Sequence, residues 1–173
     1  GSATNSRSIF YVGKDAAANG QLLVGNGSGA AGAVYQTGGT VTNTGGLNND
    51  AALGVYGFGY YRLDAGELAN KGSTQLGRYS GSTGIFEQRG GDFVLNAGTA
   101  PDTGVVGDYY NGSLTTRKGV GIFLLSGGTF TLNTHSLQLG EWASAGDYND
   151  GYGVLTLESN AQANVGWAGL ANR

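Results

Sequence analysis

The chain has 173 residues, of which 35 are glycine and one is proline, and it contains no cysteine and no methionine. Its formal net charge of −3, without a basic run, excludes an electrostatic nucleic-acid surface. No apolar run is long enough to span a membrane as a helix, and the absence of cysteine excludes disulfides and thiolate metal sites. Ten tyrosines, six phenylalanines and two tryptophans supply material for burial, so we expect the glycines to be turn residues.

A ten-residue pattern recurs five times along the chain, and an earlier Tyr11-Val12-Gly13 is expected to close an incomplete first unit. Each copy opens with glycine, alternates apolar and polar side chains, and breaks at a small pair such as Gly38-Gly39. This alternation predicts a strand with one face turned inward, followed by a turn and a second strand. The copies start 27, 25, 37 and 32 residues apart and read GAVYQTGGTV (32–41), GYYRLDAGEL (59–68), GIFEQRGGDF (84–93), GIFLLSGGTF (121–130) and GVLTLESNAQ (153–162).

Two further features complete each unit. An asparagine follows the second strand, and we expect an asparagine ladder, with turn preference as the alternative, at Asn43, Asn70, Asn96 and Asn133. A third strand then ends at a glycine, in Leu23-Val24-Gly25, Ala52-Leu53-Gly54, Gln75-Leu76-Gly77, Val105-Val106-Gly107, Gln138-Leu139-Gly140 and Asn164-Val165-Gly166.

Three short strands per unit predict an all-β fold, a single-stranded parallel β-helix (β-solenoid) of about five to six coils. Equivalent residues then stack about 4.8 Å apart, and the core is a column of like side chains. We predict one module over 1–173, with an incomplete first coil at 1–19, repeats over 20–167 and an interrupted coil at 168–173. We expect it to be a fragment of a larger surface protein whose open ends stack head to tail with copies of itself or meet neighbouring domains.

The pattern Gly-x-Phe-x-Gln-x-Gly-Gly, followed by a short strand and Leu-Gly or Val-Gly, resembles autotransporter-associated β-strand repeats. Segments 84–93 and 121–130 match best, whereas 153–162 has Ser159-Asn160 in place of the glycine pair. The resemblance covers most of residues 20–167. It implies an extracellular location at the bacterial cell surface and a non-catalytic structural or adhesive role, because such passengers range from adhesins to spacers.

Carboxylates are present, but their pattern is that of a solvated face. Asp64 and Glu87 are expected to point outward on successive coils, beside Arg62 and Arg89. A β-helical polysaccharide lyase or hydrolase needs carboxylates gathered in a groove, so we assign no catalytic residue and keep that activity as a distant third alternative.

Metal sites have little support in the sequence. His135 is the one histidine, and a metal site needs two or three ligands of that kind. Asp147, Asn149 and Asp150 resemble a calcium loop but lack the spacing of an EF-hand. We expect no cofactor, with structural calcium at these three residues as a weak alternative.

Aromatic residues recur just after the closing glycines of the units. Stacked coils would align them along one edge, and a row of aromatic faces suits sugar rings. Packing over glycine-rich turns is the competing interpretation. The alternative function is therefore a carbohydrate-binding module that recognises a polysaccharide through Tyr56, Tyr79, Tyr109, Tyr110, Trp142 and Trp167.

Overall fold

The computed structural model describes residues 7–14, 16–18, 22–43, 51–70, 74–79, 81–95, 104–106, 119–139, 152–158 and 160–170. These residues form strands and turns, and no helix occurs among them. The strands are β1 (Arg7–Val12), β2 (Ala16–Ala18), β3 (Leu22–Val24), β4 (Ala31–Gln36), β5 (Thr40–Asn43), β6 (Ala51–Leu53), β7 (Phe58–Leu63), β8 (Glu67–Asn70), β9 (Thr74–Leu76), β10 (Thr83–Gln88), β11 (Asp92–Leu95), β12 (Gly104–Val106), β13 (Val120–Leu125), β14 (Gly128–Leu139), β15 (Tyr152–Leu157) and β16 (Ala161–Leu170).

All strands pair in parallel. In the six-stranded sheet, each of β1, β4, β7 and β10 pairs with the strand three elements further along the chain. That sheet has the order β1-β4-β7-β10-β13-β15. A ten-stranded sheet runs β2-β5-β8-β11-β14-β12-β9-β6-β3, with β16 beside β14. It consists of a second and a third ladder joined at the long strand β14, whose two halves pair with β11 and β12. The predicted all-β, parallel fold is confirmed, and this order agrees with coils of three strands.

The repeats align as levels, which we number one to six after the strands of the six-stranded sheet. The third position of each repeat forms one column in register, as predicted from the alternation. The inward residues of the middle levels are buried, whereas Phe10 and Leu157, at inward positions of the first and last levels, are 60% and 54% exposed. The column consists of Phe10, Val34, Tyr61, Phe86, Phe123 and Leu155.

A buried glutamine fastens the turn between the first and second strands of the second level. Gln36 Nε2 donates to the carbonyl oxygens of Gly39 at 3.0 Å and of Glu67, one level higher, at 2.9 Å. The Tyr61 hydroxyl, also one level higher, donates to Gln36 Oε1 at 2.6 Å. Because Gln36 is fully buried, these bonds replace the water that its amide loses on folding.

The fourth level repeats this arrangement with one bond missing. Gln88 Nε2 donates to the carbonyl oxygens of Gly91 at 2.9 Å and of Thr129 at 3.0 Å. Gln88 Oε1 is buried and has no hydrogen-bond partner among the described residues. The cause is the residue one level higher, since Phe123 stands where the second turn has the hydroxyl of Tyr61.

Three of the predicted closing glycines are turn residues, as expected. Gly166 instead lies inside β16, and Tyr11-Val12 lie in the first strand β1 and not in a closing strand. Gly25, Gly54 and Gly77 have φ of 72°, 68° and 71°, a conformation that side-chain-bearing residues rarely adopt. A Cβ on Gly54 would lie 2.1 Å from the carbonyl oxygen of Thr83 on the next level. Glycine is therefore required here both by backbone conformation and by the close approach of the next strand.

The asparagine ladder begins as predicted. Asn43 Nδ2 donates to Asn70 Oδ1 at 2.9 Å, and both residues are fully buried. Asn70 Nδ2 then donates to Thr74 Oγ1 at 2.9 Å, which ties the second strand of its level to the third.

Beyond Asn70, the described strands hold no asparagine at this register position. At the next two levels the same register position holds Leu95 and Leu132. Asn133 stands one residue further along β14, because it follows Phe130 by three residues, whereas Asn70 follows Leu68 by two. Asn96 lies outside the described residues.

The last unit is also shifted from its predicted register. Val165, assigned to a third strand, pairs with Leu132 in the second ladder. Residues 168–170, predicted to be an interrupted coil, pair with β14 in the third ladder, with Leu170 opposite Leu139. This unit lacks the glycine pair, and one more residue separates its first two strands, so Ala163 takes the position predicted for Gln162.

Candidate functional site

The six-stranded sheet carries an ordered set of side chains on its outward side. Burial alternates along β4, β10 and β13, so every second residue points away from the core. These residues form three rows that cross all six levels, and we call them together the outer face. The first row is Arg7, Ala31, Phe58, Thr83, Val120 and Tyr152; the second row is Ile9, Ala33, Tyr60, Ile85, Ile122 and Val154; the third row is Tyr11, Tyr35, Arg62, Glu87, Leu124 and Thr156.

The outer face is mostly apolar or aromatic. Ile9 is 62% exposed, Phe58 42% and Tyr152 63%. A parallel sheet with apolar residues on both sides is typical of a sheet that is covered on both sides. Strand spacing and residue rise give the face dimensions of about 24 Å by 13 Å. The largest apolar patch on a monomer commonly covers about 300–600 Å² and is often functional, so this face is a candidate contact surface.

Two tyrosines and an arginine form an ordered cluster in the third row. The rings of Tyr11 and Tyr35 stack with centroids 5.4 Å apart. The Arg62 guanidinium lies 5.1 Å from the centroid of the Tyr35 ring, and its Nη2 pairs with Asp64 Oδ2 at 2.8 Å. The ring contact and the ion pair hold this cation at a fixed place on the face.

Glu87 is the neighbouring charge in the same row. It accepts a hydrogen bond from the Tyr60 hydroxyl, and its Oε1 pairs with Arg89 Nε at 2.7 Å. Partial burial acts to raise the pKa of Glu87, but these two hydrogen bonds and the arginine charges lower it overall. Partial burial, together with the bond to Glu87, raises the pKa of Tyr60 to about 12. Glu87 is therefore a carboxylate and Tyr60 a neutral donor at neutral pH.

Sequence reasoning placed Arg62 and Glu87 outward correctly but missed the apolar character of the face. The prediction that the outward residues of each repeat are polar is wrong at the second position of every repeat. The signal was available, because that position is apolar or aromatic in all five copies: Ala33, Tyr60, Ile85, Ile122 and Val154.

Two residues of the predicted aromatic row are described with their side chains. The rings of Tyr56 and Tyr79 stack with centroids 4.4 Å apart and an interplanar angle of 9°. The Arg78 guanidinium lies 5.5 Å from the centroid of the Tyr79 ring. Each ring thus covers one face of the other along the stack, which favours packing over a sugar platform at these two positions.

Among the other predicted aromatic residues, Trp167 is described by its backbone and does not lie in this row. Trp167 lies in β16 opposite Ser136, before the third-ladder part of that strand and not after a closing glycine. The remaining glycan candidates Tyr109, Tyr110 and Trp142, and the calcium candidates Asp147, Asn149 and Asp150, lie outside the described residues.

Within the ranges that the structure describes, no group of three or more His, Cys, Asp or Glu side chains is placed to hold a metal ion. The same ranges contain no helix of the length and apolarity needed to cross a membrane. No family model, curated protein or solved structure matches the chain.

Proposed function

We propose that this chain is a non-catalytic structural and adhesive module of the bacterial cell surface, and that the outer face is its contact surface. The observation that supports this best is the apolar second row, which continues across all six levels. Apolar side chains in a continuous, at least partly exposed row have a lower free energy against a partner that covers them than in water.

A rigid interior supports the use of this face for adhesion. Behind it, Tyr61 and Phe86 stack at 5.3 Å, and Phe86 and Phe93 at 4.7 Å. The side-chain amides of Gln36 and Gln88 bond adjacent levels to each other. A packed core of this kind holds outward side chains at a regular spacing of about 4.8 Å, which suits a repeated set of weak contacts.

Adhesion of coated beads tests the proposal. Beads carrying the chain are applied to bacterial cells, matrix proteins and purified polysaccharides, and the same assay is run with an Ile85→Asp/Ile122→Asp variant. These two residues are neighbours in the second row. We expect adhesion to fall by about tenfold or more, because burying one isoleucine contributes about 1.5–3 kcal/mol and tenfold corresponds to about 1.4 kcal/mol.

A matched control places the same two charges on another surface. Val94 and Thr131 are neighbours on the outward side of the second ladder, so Val94→Asp/Thr131→Asp should leave adhesion unchanged. Equal adhesion by both variants, or no adhesion by the original chain, would overturn the proposal. Polysaccharide binding that survives in the outer-face variant but is lost in Tyr79→Ala would favour the carbohydrate-binding alternative.

A further inference from the structure

The charges on the outer face are arranged about its middle. Arg62 lies on the third of six levels and Glu87 on the fourth, next to each other in the third row. The other charged residue of the face, Arg7, stands at a corner, on the first level of the first row. The two middle levels of a mostly apolar surface thus hold one positive and one negative charge, both in the third row.

This arrangement is self-complementary. Consider a twofold axis that runs parallel to the strands, midway between the third and fourth levels. Rotation about this axis places each row opposite the same row of the second copy. The third level then faces the fourth, the second faces the fifth and the first faces the sixth. Arg62 of one copy then faces Glu87 of the other, and the same pair forms a second time by symmetry. We propose that the partner of the outer face is a second copy of this chain, packed face to face with its axis antiparallel. A twofold contact between identical surfaces has this kind of matching.

The apolar residues agree with the same rotation. In the second row, Tyr60 faces Ile85, and Ile9 on the first level faces Val154 on the last. The small Ala33 on the second level faces the larger Ile122 on the fifth. Two sheets that pack face to face lie about 10 Å apart and interdigitate their side chains, so a small residue opposite a large one favours close contact.

The size of the face sets the expected affinity. A specific stable interface buries about 800 Å² per partner, and a surface of about 24 Å by 13 Å falls below that value. The dimer is therefore weak and depends on concentration, and it becomes effective where many copies are displayed together. The inference rests on the proposed adhesive function, because it names the partner of the same face.

Two charge reversals test the pairing. Arg62→Glu places like charges opposite each other at both symmetric positions, and so does Glu87→Arg. We expect each variant alone to associate about tenfold or more weakly than the original chain in sedimentation velocity, since opposed like charges strongly disfavour a contact. Mixing the two variants restores both pairs, because position 62 of each chain then faces an opposite charge at position 87 of the other.

Net charge does not explain this result. The original chain has a net charge of −3, and the reversals change it by two in either direction, so both variants remain negative and repel each other. Asp92→Arg changes the charge by the same amount as Glu87→Arg, but on the exposed side of the second ladder. We expect Asp92→Arg to keep the original self-association.

Crosslinking supplies a second readout if a charge variant fails to fold in far-UV circular dichroism. The chain has no cysteine of its own, so Ala33→Cys and Ile122→Cys each introduce a single thiol. With a short bismaleimide, we expect crosslinked dimers when the two variants are mixed and none from either variant alone.

Three results would overturn the inference: a strictly monomeric original chain at millimolar concentration, equal association of all charge variants, or failure of the mixed variants to associate. Beads that adhere to other surfaces while the chain stays monomeric would leave the proposed function in place and remove only the second copy as partner. Beads that adhere to nothing, together with a monomeric chain, would remove both.

Discussion

One substitution in the aromatic column is expected to stabilise the protein. Phe123 has the same position relative to Gln88 as Tyr61 has to Gln36, one level higher and two residues earlier in the register. The Tyr61 hydroxyl donates to Gln36 Oε1 at 2.6 Å, whereas Gln88 Oε1 is buried without a partner among the described residues. Phe123→Tyr places a donor beside that acceptor, because the hydroxyl lies on the ring axis whatever the rotation of the ring.

The same chemical change one level lower serves as the matched control. The residue below Phe86 at the amide position is Leu63, which offers no acceptor. Phe86 and Phe123 are 1% and 2% exposed, so water cannot bond a hydroxyl at either position. We expect Phe123→Tyr to raise the free energy of unfolding by about 1 kcal/mol and Phe86→Tyr to lower it by about 1–3 kcal/mol. Tyr61→Phe should lower it by about 1–3 kcal/mol, since it leaves Gln36 Oε1 without its donor.

Urea denaturation followed by far-UV circular dichroism measures these changes, with an unchanged m-value as the check that the same surface unfolds. For a chain of this size, 1 kcal/mol corresponds to about 2–4 °C in the melting temperature. If Phe123→Tyr and Phe86→Tyr shifted the free energy of unfolding in the same direction, Gln88 Oε1 would not be an acceptor that lacks the hydroxyl donor Tyr61 provides to Gln36.

Two further predictions concern a turn and a charge. Gly54→Ala should cost much more stability than Gly81→Ala in urea titrations, because both glycines have positive φ but only the Cβ at position 54 would meet a carbonyl oxygen, at 2.1 Å. Position 81 should lose only the conformational cost of about 1–2 kcal/mol, and equal losses would contradict the close approach. The lowered pKa of Glu87 stabilises the fold above the ordinary value of 4.5, and this contribution is lost as pH falls through the lowered pKa. Glu87→Gln should therefore show a smaller loss of stability on acidification, and an unchanged acid limb would exclude this carboxylate as a contributor.

Much of the fold could be predicted because the repeats encode it locally. Alternation along a strand determines which residues point inward, and the shared opening glycine sets the register between copies. Val34, Tyr61, Phe86 and Phe123 consequently stand in the column that the sequence indicated. The glycines were predictable for a related reason, since tight turns that stack closely leave no room for a side chain.

The errors arise where a shift of one residue matters. Asn70 follows Leu68 by two residues and stands in register with Asn43. Asn133 follows Phe130 by three residues, so Leu132 occupies that register position instead. The last unit has no glycine pair to mark its turn, so the extra residue before Ala163 was not detected. A register shift of one residue moves the side chains of a strand to the opposite face of the sheet. The sequence alone does not show which turn contains the extra residue.

The outer face could be predicted only in part. Charges at Arg62 and Glu87 suggested a solvated surface, and they do point outward. Their neighbours across the levels, Tyr35 and Leu124 in the same row, lie far apart in the sequence. The apolar character of the face and its symmetry about the middle levels follow from register, and register follows from the packing of all six levels together.

Distances along one outward row test the stacking of levels most directly. The chain has no native cysteine, so paired spin labels can be attached at Ile9 and Val154 or at Ala33 and Val154. These residues lie in the second row on the first, second and last levels. Spin-labelled chains diluted with unlabelled protein report distances within a single chain by pulsed electron paramagnetic resonance. Levels stacked in register predict about 24 Å for the first pair and about 19 Å for the second, a difference of one strand spacing. Equal distances, or a shorter distance for the first pair, would contradict the parallel stack and the outer face derived from it.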